Sequence, residues 1–231
     1  RRTDIYIYGE IKMLNFTNIL FDFDGTICDT SPGIFASMER VCTRYGLPFG
    51  HDTFVKMIGP SLEEGFAKFF RLPPSEIQNA VNIYREYYSA EGMLICEPYP
   101  GIKELVSALR ASGKRIFVAT SKPEVYTKKI MEHKGILNLF DFVGGSDIEE
   151  KIRFNKADVI NYVLAENSLS DKRDSALMIG DRYYDINGAH SAGLASMGVL
   201  WGFGDRTELE QSGVDYICET VAEVRKLLLD Y

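Results

Sequence analysis

The 231-residue sequence predicts an α/β fold, a Rossmann-like parallel sheet with helices on both faces, interrupted by an inserted all-helical segment. Three observations predict it. From Pro98 onward, short apolar runs ending in polar residues alternate with amphipathic helical patterns. One further run of that kind, Ile19-Leu20-Phe21, lies far upstream and stops at Asp22 and Asp24. Between the two regions, from Ser31 to about Ala90, the pattern is helical with no convincing strand.

The elements follow in order. Pro32 suits a first helical turn, and Ile34, Phe35, Met38, Val41, Cys42 and Tyr45 recur at three- and four-residue intervals before Gly46. Helices are expected at Asp52 to Met57, Ser61 to Phe70 and Pro74 to Tyr88, the last two separated by Pro73-Pro74. Ile102, Leu105, Val106 and Leu109 make a helix ended by Gly113, and Arg115 to Thr120 is a short buried strand finishing in Thr120-Ser121-Lys122-Pro123. Val125 to His133 is helical, Phe140 to Val143 a strand and Lys156 to Leu164 a helix; Ala176 to Ile179 is a strand ending in Gly180-Asp181. Ala195 to Leu200, Tyr216-Ile217 and Val221 to Leu229 complete the series. The expected organisation is a leader or extension of no assigned function at 1–13, an α/β core at 14–30 and 97–231, and a helical cap at 31–96. Met13 is a candidate start.

Composition narrows the function. A hydrophobic fraction of 45% with 26% charged residues is that of an ordinary globular protein. A net charge of −7 argues against nucleic acid or an anionic membrane as the main partner. No apolar run reaches membrane-spanning length and no secretory signal is present, so a cytoplasmic monomer or homodimer is expected. Cys28, Cys42, Cys96 and Cys218 are scattered without a CxxC pair, which reads as reduced thiols rather than a zinc site.

Asp22 and Asp24 are an unusual ending for a buried strand. They would share one face if the extended geometry continued, and like charges so close need a cation or a shared proton. A solvated turn is the plain alternative. Two other strand ends weigh against it: Thr120-Ser121, and Asp181 with Asp185. In a parallel sheet these ends lie on one edge, where several acids imply a divalent cation with hard oxygen ligands, for which magnesium is suited.

Asp22-Phe23-Asp24-Gly25-Thr26, Thr120-Ser121, a downstream lysine and Gly180-Asp181-Arg182-Tyr183-Tyr184-Asp185 resemble the four motifs of the haloacid dehalogenase superfamily. The helical insert after the first motif resembles the phosphoglycolate phosphatase-like branch. The resemblance covers nearly all of Phe16 to Leu229 and implies a magnesium-dependent phosphatase acting on a small phosphorylated metabolite of phosphoglycolate, nucleotide or sugar-phosphate type. It implies Asp22 as the nucleophile forming an aspartyl-phosphate, and Asp24 as general acid and then base. It further implies that Thr120 and the Ser121 amide would hold a phosphoryl oxygen, with Gly25 and Thr26 also at the phosphate. The resemblance likewise implies that Lys156, preferred over Lys151, would neutralise charge, and that Mg2+ would be held by Asp22, the Asp24 carbonyl, Asp181 and Asp185. Asp24 favours phosphate esters over dehalogenation or phosphonate cleavage, whose family members lack this second acid. No histidine lies between Thr26 and Gly50, which disfavours a sugar-phosphate mutase; His51, His133 and His190 read as surface or helix residues.

The helical insert is expected to act as a lid. Lys56 to Leu62 resembles the family's substrate-contacting loop, with Lys56 a candidate for a second anionic group, while Phe66, Phe69, Phe70, Tyr84, Tyr87 and Tyr88 read as lid core. Pyrophosphate hydrolysis and phosphotransfer by the same route are the enzymatic alternatives. A non-enzymatic binding protein is disfavoured because no motif acid is missing.

Overall fold

A computed structural model describes residues 6–7, 10–11, 14–149, 151–153 and 155–229. The expectation for 1–13 falls largely outside these residues; Tyr6–Ile7 and Glu10–Ile11 pair antiparallel. The chain divides into two compact units, one running to Ile27 and resuming at Pro98, the other comprising Cys28–Glu97.

The first unit is built on a six-stranded sheet. Its strands are β1 (Asn18–Phe21), β2 (Arg115–Pro123), β3 (Phe142–Ser146), β4 (Ala176–Gly180), β5 (Ala195–Val199) and β6 (Tyr216–Cys218). Every neighbouring pair is parallel. The spatial order is 3-2-1-4-5-6, so the strand order reverses between β1 and β4. A doubly wound sheet opens a crevice at that reversal, outside the carboxyl ends of the strands. β1 is buried at all four positions, as a central strand covered on both faces must be.

Helices α5 (Ile102–Ala111), α6 (Glu124–His133), α7 (Lys156–Glu166), α8 (Tyr183–Ser191), α9 (Arg206–Gln211) and α10 (Val221–Leu229) connect or flank these strands. On one face Val159, Ile160, Val163 and Leu164 of α7 join Leu20, Phe117, Ala176 and Met178 of the sheet in a fully buried cluster. That packing fixes where α7 begins. Its first residue, Lys156, is held at the strand ends because four apolar residues behind it are buried, and the Asn155 side chain caps the helix by accepting from the Asp158 amide.

The strand expected at Phe140 to Val143 lies two residues later, and α8 and α9 were not legible in the periodicity. α8 carries polar Tyr183-Tyr184-Asp185 at its start and small residues after it, so it lacks an apolar stripe. β2 also runs beyond Thr120 to Pro123.

The second unit contains α1 (Ser31–Tyr45), α2 (His51–Lys56), α3 (Leu62–Lys68) and α4 (Pro74–Ala90). Phe66, Phe70, Tyr84 and Tyr88 are buried within it, with ring contacts between Phe66 and Phe70 and between Tyr84 and Tyr88. The four cysteines are free and buried. No helix among the described residues is long and apolar enough to cross a membrane.

Candidate active site

Register places the motif residues in adjacent rows. Phe21 is level with Val118 of β2 and Ile179 of β4, so Asp22 follows directly in the row of Ala119 and Gly180. The Asp22 amide still donates to the Ile179 carbonyl at 2.8 Å, after which the chain turns through Gly25. Gly25 has φ of +80°, and a Cβ there would lie 2.3 Å from Asp181 Oδ2. Backbone conformation and close approach both require glycine. Gly180 is needed for a related reason: its Cβ would meet Asp185 Cγ at 2.2 Å.

Asp22, Asp181 and Asp185 form a buried cluster in which one carboxylate oxygen from each lies within 4.8 Å of the others. Lys156, itself buried, places Nζ 2.7 Å from Asp22 Oδ1 and 2.8 Å from Asp185 Oδ1, and donates to the Ala119 carbonyl at 3.2 Å. Both Oδ1 atoms are buried and face the same ammonium. One ammonium is therefore shared by two of the three carboxylates. Burial, then the neighbouring Asp185, pushes the Asp22 carboxyl up to about 6 despite Lys156. Burial and the same neighbours hold Asp181 well above the ordinary carboxylate range. Asp185 and Asp22 raise the Lys156 ammonium against the lowering effect of burial, so it stays charged.

Both oxygens of Asp181 and the second oxygen of Asp185 are tied down. Asp181 Oδ1 accepts from the Thr26 hydroxyl at 3.1 Å, and Oδ2 from the Phe203 amide at 2.7 Å. Asp185 Oδ2 accepts from the Arg182 amide at 3.0 Å, capping α8. Thr26, expected at the phosphate, is fully buried with its hydroxyl on Asp181.

Asp24 points elsewhere. The extended geometry ends before it, and its carboxylate lies outside the three-acid cluster, bridged on both oxygens by Lys122 at 3.1 Å. Lys122 was missed as a site residue. β2 continues past its expected end but shifts register between Ala119 and Pro123, so the two-residue spacing from Thr120 gives no signal for it. Thr120 is buried, and its Oγ1 accepts from the Lys122 amide at 3.2 Å, which leaves its own O–H to donate. The Ser121 carbonyl accepts from the Ser146 hydroxyl at 2.8 Å. Lys151 is exposed beside Glu149, and Lys56 is exposed at the end of α2 in the other unit.

The donor set fits a divalent cation. It consists only of carboxylate oxygens from three buried acids, which share one lysine ammonium.

Residues 19–199 match the family model described as haloacid dehalogenase-like hydrolase. The chain belongs to this family. It is 34% identical to a 5'-nucleotidase of Pseudomonas aeruginosa over 93% of this chain and 96% of that protein. It is 30% identical to the tyrosine-protein kinase PtkA of Mycobacterium tuberculosis over 91% of this chain and 72% of that one. In three dimensions it superposes on the crystal structure of a predicted phosphatase from Clostridium acetobutylicum with a TM-score of 0.86 and 36% identity, covering 94% of this chain and 99% of the other.

Proposed function

We propose that this haloacid dehalogenase-like phosphomonoester hydrolase transfers the phosphoryl group of a small phosphorylated metabolite to Asp22 and then to water. The observation that carries the reading is the separation of two acid environments at one sheet edge. Asp22 sits with Asp181, Asp185 and Lys156, whereas Asp24 sits apart on Lys122.

In the first step an Asp22 carboxylate oxygen attacks phosphorus, the bond from phosphorus to the alcohol oxygen breaks, and Asp24 gives that oxygen a proton. The Thr120 hydroxyl and the Ser121 amide donate to a phosphoryl oxygen, and Lys156 offsets the negative charge gathered around Asp22. In the second step Asp24 takes a proton from water as that water attacks phosphorus, the bond to Asp22 breaks, and inorganic phosphate leaves. Asp22, Asp181, Asp185 and the Asp24 carbonyl would hold Mg2+, which supplies positive charge where the phosphoryl group is most anionic. Lys56 is proposed as a contact to a second anionic group of the substrate.

The similarity to a protein named 5'-nucleotidase supports a phosphate monoester, with a nucleoside monophosphate among the substrates to test first. The similarity to a protein named as a tyrosine kinase supports a second reading, in which the phosphoryl group on Asp22 passes to an acceptor other than water. Phosphate release from a panel of phosphorylated metabolites, with and without Mg2+, tests both. Free phosphate that depends on Mg2+ and disappears in Asp22→Asn is expected. Metal-independent release, or full activity in that variant, contradicts the hydrolytic reading, and a phosphorylated acceptor in place of free phosphate favours the second.

A further inference from the structure

The segment after β5 grips the acid-bearing turn at two points. The Phe203 amide donates to Asp181 Oδ2 at 2.7 Å. Five residues later, Glu208 Oε1 accepts both from Arg182 Nε at 2.8 Å and from the Tyr183 amide at 2.9 Å. Tyr183 opens α8, and an amide in the first turn of a helix has no partner within that helix. Glu208 supplies that partner from α9, which is itself capped where the Asp205 carboxylate accepts from the Glu208 amide at 2.8 Å. A second route reaches the same acids. Trp201 Nε1 donates to the Thr26 carbonyl at 3.1 Å, and the Thr26 hydroxyl holds Asp181 Oδ1. Asp181 is thus held on one side by Thr26 and on the other by Phe203, while the turn from Arg182 to Asp185 is anchored by Glu208.

We propose that Glu208 is a positioning residue of the metal centre, setting its affinity for a divalent cation without touching the ion, and that Trp201 reports the occupancy of that centre. The proposal rests on the reading of Asp22, Asp181 and Asp185 as the metal site. Two effects follow from removing the carboxylate. The Tyr183 amide loses its acceptor, so the turn that aims Asp185 loosens. The Arg182 guanidinium also loses the Glu208 carboxylate as a counterweight to its attraction to Asp181, where it competes more strongly with the cation. Neither effect depends on the sheet or on the buried core behind α7.

The test is a Mg2+ titration followed by intrinsic fluorescence, because Trp201 is the sole tryptophan of the chain, with calorimetry as an independent measure of the dissociation constant. Glu208→Ala is expected to weaken Mg2+ binding about tenfold or more, and Glu208→Gln, which keeps an oxygen for the Tyr183 amide, is expected to fall between Glu208→Ala and the unsubstituted protein. Glu210→Ala, an exposed acid on the same short helix, is expected to leave binding unchanged and so separates positioning from a general effect of charge. A Glu208→Ala protein that is folded and binds Mg2+ within about twofold of the unsubstituted protein overturns the proposal. Should Glu208→Ala fail to fold, unchanged affinity in Glu208→Gln overturns it equally. Asp181→Asn isolates the underlying reading. If the unsubstituted protein gives no saturable Mg2+ response and matches Asp181→Asn, the metal site itself is refuted and the proposal falls with it.

Discussion

Lys122 places its ammonium 3.1 Å from each carboxylate oxygen of Asp24, so the second acid of the first motif has a cation of its own. Asp22 has a different one, Lys156. The two acids are only two residues apart and Asp24 still raises the Asp22 carboxyl, yet each faces a lysine of its own, which allows them unequal roles. Replacing Lys122 with Met removes a charge-assisted contact from a buried position and leaves Asp24 without the partner that orients it. We expect kcat/KM on a generic phosphomonoester to fall roughly 10- to 100-fold with the fold intact, which steady-state kinetics and circular dichroism would check.

Much of the fold could be read in the sequence because its strands are buried on both faces and therefore appear as uninterrupted apolar runs. Ile19 to Phe21 and Ala176 to Ile179 are examples, and the parallel sheet follows from their alternation with helices. α8 was invisible for the opposite reason: its role is to present Asp185 from a capped first turn rather than to bury an apolar stripe. The acids were legible because charge is conspicuous at the end of a buried strand. Lys122 was not, since a lysine two residues beyond a threonine carries no sign of which way it points where β2 shifts register between Ala119 and Pro123. Thr26 and Gly25 were assigned to phosphate from the motif alone; their tertiary partner, Asp181, is 155 residues away for Thr26 and cannot be seen in local pattern.

Lys156 is the only lysine in ion-pair contact with Asp22 and Asp185 among the described residues. Lys156→Met should leave Asp22 and Asp185 buried without their ammonium and destabilise the metal-free protein by about 3–5 kcal/mol. Mg2+ should recover part of that loss. Thermal unfolding of both proteins, with and without Mg2+, reads the difference directly.

The raised carboxyl of Asp22 sets a pH dependence for the metal-free protein. Its folded value of about 6 lies above the ordinary 3.8, chiefly through burial and then Asp185, so between these values the folded state holds a proton that the unfolded chain releases. The resulting stabilisation is fully present below about pH 4 and is lost as pH rises through about 6. Asp22→Asn cannot make this change. The melting temperature of Asp22→Asn should therefore gain on that of the unsubstituted protein across this window when metal is absent, and added Mg2+ should raise the latter more at about pH 7 than at about pH 5. Parallel melting curves without metal would contradict the assignment.

Ser196, His190 and Asp215 have the composition of a hydrolytic triad, but not its geometry. His190 Nε2 alone faces both partners, at 3.0 Å from Ser196 Oγ and 3.1 Å from Asp215 Oδ2, whereas a relay needs one partner on each ring nitrogen. Ser196 is fully buried, and its amide and hydroxyl both donate to Asp215 Oδ2. This is a clasp between β5 and the chain entering β6. Ser196→Ala should cost about 1–3 kcal/mol of stability while leaving phosphatase activity within about twofold.

The central claim, that phosphorus is transferred to Asp22, is tested most directly by trapping. The enzyme is mixed with substrate and Mg2+, quenched in acid during turnover, and reduced with borohydride, which converts an aspartyl-phosphate to homoserine. Peptide mass spectrometry should find homoserine at position 22 and not at Asp24, Asp181 or Asp185. Turnover that leaves Asp22 unmodified while homoserine forms at another acid would contradict the account.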